Sequence, residues 1–144
     1  MLPLNKHKMS YEYYLQAHLN QDCQQIPTES ILAIFIDHIA TKDETYIDLE
    51  FEEGNSCTIY MDTTSSTIDG LMISRPCDSR RLGECLYQVM LLGNFVFYEP
   101  DGKGPIVVNP ETEAHLPFDM VESLGKLAIS KSKEGFLELY FNNR

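Results

Sequence analysis

Tyr46-Ile47-Asp48-Leu49-Glu50-Phe51-Glu52-Glu53-Gly54-Asn55-Ser56-Cys57-Thr58-Ile59-Tyr60-Met61-Asp62 alternates twice between apolar and polar residues. Ile47, Leu49 and Phe51 point one way and Asp48, Glu50 and Glu52 the other; Cys57, Ile59 and Met61 then alternate with Thr58, Tyr60 and Asp62. Period two marks half-buried strands, and Glu53-Gly54-Asn55-Ser56 marks the turn between them. The spacing predicts a hairpin with one apolar and one acidic face. Thr63 to Asp69 reads as a second turn region and Leu71 to Ser74 as a third strand. Such a meander needs helices over its apolar face.

Upstream, residues 1–10 are polar and expected to be flexible. Tyr11, Tyr13, Leu15, Ala17 and Leu19 alternate with Glu12, Tyr14, Gln16 and His18, which predicts another strand. Pro27-Thr28 opens a helix with Thr28 as its N-cap and Ile31, Ile34, Phe35, His38 and Ile39 on one face; Thr41 to Glu44 closes it. Downstream, Asp78 is the expected N-cap of a helix over Ser79 to Leu92, with Leu82, Cys85, Leu86, Val89 and Met90 as its apolar stripe and Gly93-Asn94 as its stop. Phe95 to Tyr98 reads as a strand. Pro100-Asp101-Gly102-Lys103-Gly104 turns the chain, and Ile106 to Val108 pairs back. A short helix from Pro117 to Gly125 turns Phe118, Val121 and Leu124 inward, and strands are expected at Leu127 to Ser130 and Phe136 to Phe141. The predicted fold class is α+β: residues 1–144 as a single domain, with two long helices and one short helix packed on a mostly antiparallel sheet.

The 144 residues are 43% hydrophobic and carry 11 Lys and Arg against 22 Asp and Glu, a formal net charge of −11. The composition is that of a globular chain rather than a disordered one. So acidic a chain repels nucleic acid and anionic membranes, and neither is expected as a partner. No run of about 18 apolar residues occurs, and the first residues lack the apolar stretch of a signal peptide, so the expected location is cytoplasmic. Cys23, Cys57, Cys77 and Cys85 form no C-x-x-C pair and read as small hydrophobes rather than zinc ligands or disulfides.

No complete catalytic signature occurs, and no enzymatic activity, cofactor or metal is expected. Gly102-Lys103-Gly104 is followed by Pro105 and a strand, so it is a hairpin turn and not a phosphate-binding loop. His18, His38 and His115 lie 20 and 77 residues apart, a spacing of no local metal motif. The acids lack the D-x-[DN]-x-[DN]-G pattern of a calcium loop.

Charge distribution is the most distinctive feature. From Asp43 to Asp69 there are eight acids and no Lys or Arg. Like charges on neighbouring strands repel, and a purely stabilising design avoids them. A solvated face is one explanation. The other is an acidic docking surface for a basic protein, with Asp48, Glu50, Glu52, Tyr60 and Asp62 as the partner-binding residues. Arg75, Arg80 and Arg81 flank the second long helix and read as structural salt-bridge residues, with Asp78 or the acidic meander as partners for Arg75 and Arg81.

Within Met72 to Leu124, Ser74-Arg75-Pro76-Cys77-Asp78, Leu91-Leu92-Gly93-Asn94-Phe95-Val96-Phe97-Tyr98 and His115-Leu116-Pro117 resemble bacterial immunity proteins. The resemblance covers about a third of the chain and carries over no functional residue. It implies a protein, monomer or homodimer, that binds a cognate toxin or effector with a basic surface and occludes its active site. The order α-βββ-α-ββ-α is similar to type III secretion chaperones, which are acidic and dimeric and hold an effector segment. The strand at Tyr11 to Leu19 and the one expected at Phe136 to Phe141 depart from that pattern.

Overall fold

The structure is a computed structural model describing residues 12–100 and 104–142. The expected flexible residues 1–10 and the Asp101-Gly102-Lys103 part of the hairpin turn lie outside the described residues. Strands are β1 Glu12–Leu19, β2 Asp22–Cys23, β3 Ile26–Pro27, β4 Ile39–Lys42, β5 Tyr46–Glu50, β6 Ser56–Tyr60, β7 Thr67–Ile68, β8 Gly70–Ser74, β9 Phe95–Tyr98, β10 Ile106–Val107 and β11 Ala128–Ile129. The α-helices are α1 Thr28–Phe35, α2 Arg80–Met90, α3 Phe118–Leu124 and α4 Lys133–Asn142. The main sheet runs β11-β10-β9-β1-β8-β6-β5-β4, antiparallel except for the β10–β11 pair. The α+β class and the antiparallel meander are as the alternation predicts. Alternation does not fix the first strand's place: β1 sits in the middle, between β8 and β9.

One face of the sheet carries the core. Tyr13, Leu15 and Ala17 of β1, Leu71 and Ile73 of β8, Ile59 of β6 and Ile47 and Leu49 of β5 are buried beneath α1, α2 and α4. Their alternation with polar residues selects that face, because a one-residue slip would expose every one of them. The opposite face is covered at one end, where Val96, Val107 and Leu116 form a second cluster with Met120, Val121 and Leu124 of α3.

Phe136 to Phe141 is helical, not a strand. Phe136, Leu137 and Tyr140 are the buried positions, a helical spacing that the alternation of the segment hides. The segment has no β-branched residue, and the Ser132 hydroxyl accepts the Gly135 N–H at 3.1 Å as a cap. The first helix stops at Phe35; Ile36–His38 is a 3₁₀ turn, and Ile39–Lys42 becomes the edge strand β4 instead of a polar helix end. Thr28 does not cap α1. Ile26–Pro27 pairs with Ile68 and Thr67, so Pro27 takes the cap position and Thr28 is buried in the first turn. Ser79, not Asp78, caps α2: its backbone is extended and its hydroxyl accepts the Leu82 N–H. Phe118 is 78% exposed rather than inward, because α3 leans on the second cluster through Met120, Val121 and Leu124, a stripe that misses position 118. Cys57 and Cys85 are buried and free, as small hydrophobes should be, with thiols pushed by burial up to about 12 and about 11. No helix among the described residues is long and apolar enough to cross a membrane.

Candidate functional site

Register across the outer face of the sheet builds the candidate surface. Tyr98 of β9 lies opposite Tyr14 of β1, Tyr14 opposite Met72 of β8, Met72 opposite Tyr60 of β6, and Tyr60 opposite Tyr46 of β5. Four tyrosines and a methionine therefore form one row over five strands, about 19 Å at the usual strand spacing. Tyr14 and Tyr98 stack with centroids 5.4 Å apart, and Tyr46 meets Tyr60 edge-on at 6.1 Å. The next row along the strands is polar: Glu12, Ser74, Thr58, Asp48 and Thr41. Among the described residues, no helix packs over this part of the face; α3 stops at the Tyr98 end.

The five predicted docking residues do not stay together. Asp48, Glu50 and Tyr60 share the open face. Hydroxyl residues separate the acids: Thr41 and Thr58 flank Asp48, with the Thr58 hydroxyl donating to its carboxylate at 2.7 Å, and Ser56 faces Glu50. The repulsion expected of adjacent carboxylates is reduced this way. Glu52 leaves the strand in a 3₁₀ turn and accepts the Ser79 hydroxyl at 3.3 Å at the start of α2. Its own backbone N–H, then Ser79, lower its pKa. Asp62 serves its own loop, accepting the N–H and hydroxyl groups of Thr64 and Ser65. Ser65 first, then Thr64, hold its carboxyl down to about 2.

Arg80 and Arg81 form salt bridges, as expected of structural residues, with acids of α2 and α4. Arg80 binds Glu84 and Glu134, and Arg81 binds Glu84 and donates to His38. Glu134 reaches Arg80 because α4 lies alongside α2, and Glu84, three residues further along α2, takes Arg81. Arg75 lines a hollow of about 560 Å³ with Asp48, Glu50 and Thr58.

Residues outside the predicted set complete the surface. Asn20 and Gln21, at φ 53° and 69°, make a two-residue turn that sets Cys23 opposite His18. The turn is tied down by the Asn20 N–H on His115 Nδ1 at 3.0 Å and the Gln21 N–H on the His115 carbonyl at 2.8 Å. His18 is 8% exposed, and neither ring nitrogen has a partner at hydrogen-bonding geometry. Burial lowers its pKa, outweighing the Asp22 backbone and the Asp69 charge, which favour the cation. Asp69 accepts a hydrogen bond from the Cys23 thiol, which raises the pKa of that thiol. A nucleophilic cysteine needs the opposite shift. No group of three His, Cys, Asp or Glu among the described residues is placed to hold a metal ion. Tyr14, Met72 and Tyr98 are aligned only by pairing across strands; alternation places Tyr14 on the polar side, whereas Met72 and Tyr98 stand in continuous apolar runs that mark neither face. No protein-family model matches the chain, and neither a curated protein nor a solved structure does.

Proposed function

We propose that this chain is a cytoplasmic immunity protein. It binds a toxin that has a basic cleft and occludes the active site, docking through the outer face of the sheet. The observation that carries the reading is the row of four tyrosines and Met72 beside Asp48 and Glu50, on a face no helix covers among the described residues. Tyrosine supplies rigid contact area at low entropic cost, and carboxylates select a basic partner and speed encounter. A nuclease is the natural toxin, since its cleft must be basic to hold phosphate. The test is a pull-down from native extract at low and moderate salt, followed by affinity measurements on the recovered partner. Asp48→Lys and Glu50→Lys should each weaken binding by about tenfold or more without unfolding the protein. Unchanged affinity sinks the assignment of this face.

A secretion chaperone is the second reading. The helical C-terminal segment Lys133–Asn142 removes one departure from that family's pattern. β4 is an edge strand on which an extended client could add. A homodimer that retains an unfolded effector segment, rather than a folded toxin, decides for it.

A further inference from the structure

We propose that the hollow between Tyr14 and Tyr60 is an arginine pocket, which takes one guanidinium side chain of the partner between the tyrosine rings and the Asp69 carboxylate. This rests on the reading of the outer face as a docking surface for a basic protein, and adds which side chain it selects and where.

The hollow measures about 330 Å³. That is the low end of the roughly 300–1,000 Å³ usual for ligand pockets, suited to one long side chain rather than a cofactor. Its floor is open because Gly70 lies opposite Gln16 and has no side chain; a Cβ there would lie 3.0 Å from the Leu15 carbonyl oxygen. Met72 continues the floor, with Tyr14 and Tyr60 on the strands either side. Asp69, Cys23 and His18 line the end toward the β1–β2 turn. No Lys or Arg lines it, and Glu12 stands beside Tyr14, accepting its hydroxyl at 3.2 Å. The occupant is therefore a cation.

His18 is an independent sign of a missing partner. Buried polar groups are nearly always hydrogen-bonded, yet this imidazole is nine-tenths buried and, although the Asp22 backbone acts on it, neither nitrogen has a partner at good hydrogen-bonding geometry. It lines the hollow. Burial keeps the ring neutral, so it accepts an N–H rather than repelling a cation. Arginine fits better than lysine. Its planar guanidinium stacks on tyrosine faces, and its five donors reach Asp69 and His18 together.

The experiment is a titration of the isotope-labelled full chain, followed by amide NMR, with blocked Gly-Arg-Gly and matched lysine and citrulline peptides. The arginine peptide should give saturable shifts at Cys23, Gly70 and Met72. Lysine should bind about fivefold more weakly, and neutral citrulline not measurably. Asp69→Asn should weaken arginine binding by about tenfold, whereas Asp62→Asn, which removes one carboxylate outside the hollow, should not change it. In the unsubstituted protein the peptide should also slow alkylation of Cys23, a readout that holds if Asp69→Asn fails to fold. Equal binding of lysine, shifts confined to the Asp48 and Glu50 hollow, or no shifts at all would overturn the pocket. Self-association through these residues would assign the face to a second copy and overturn it too. None of these outcomes bears on the partner's sensitivity to Glu50→Lys, so the two readings fail separately.

Discussion

Tyr14 stacks on Tyr98 across the β1–β9 pair, with ring planes 23° apart, and this contact marks where the covered part of the outer face ends. Tyr98 packs against the cluster under α3, while Tyr14 begins the open row. Stacked aromatic pairs contribute about 0.5–1.5 kcal/mol beyond the area they bury. A double-mutant cycle of Tyr14→Ala and Tyr98→Ala, read by denaturant unfolding, should return a coupling in that range, toward its lower end because both rings are part-exposed. Strict additivity would show that the stack contributes nothing.

Gly83 in α2 sits where α4 crosses. A Cβ there would lie 2.7 Å from Leu137 Cδ2 and 3.5 Å from Tyr140 Cδ2. Alanine is the better helix former by about 1 kcal/mol. Overpacking a filled core costs about 1–3 kcal/mol. Leu137 is 2% exposed, so moving its methyl group disturbs packed neighbours, and overpacking outweighs the helix gain. Gly83→Ala should destabilise the fold by about 1 kcal/mol net. Adding Leu137→Ala should cost less in that background than in the unsubstituted chain. A stabilised Gly83→Ala variant would mean that α4 can shift on α2.

Asp62 gives a pH-dependent term of known sign to stability. Its carboxyl falls from the ordinary 3.8 to about 2 in the folded loop, through Ser65 first and then Thr64. A depressed carboxyl stabilises the fold fully above its unfolded value, and the contribution disappears as pH falls through the folded value. Asp62→Ala should therefore lower the melting temperature at neutral pH, and the gap to the unsubstituted protein should close between about pH 4 and pH 2. A gap constant over that window would show that the loop bonds do not depend on the charged carboxylate.

Period two in Tyr46 to Met61 announced β5 and β6, and the Gly54-Asn55 turn set their register, since both are local properties of the chain. The apolar stripe Leu82, Cys85, Leu86, Val89 and Met90 gave α2 for the same reason. Phe136 to Phe141 failed because a short apolar run fits either period, and what decided it was Tyr140 packing with centroids 5.6 Å from both Tyr13 and Phe97. Glu52 and Asp62 read as face residues because alternation continues past the strand in sequence, whereas β5 and β6 stop at Glu50 and Tyr60. Their backbones then turn, and nearby hydroxyls capture the carboxylates.

By itself the sequence determined which residues of β1, β5, β6 and α2 face inward, the acidity of the meander's outward ones, and the α+β class, because burial pattern and charge belong to each segment alone. The tertiary structure decided the row Tyr98–Tyr14–Met72–Tyr60–Tyr46 and the hollow ending at Asp69 and His18. Those depend on β1 inserting between β8 and β9. Only burying Tyr13, Leu15 and Ala17 against strands and helices distant in sequence selects that arrangement.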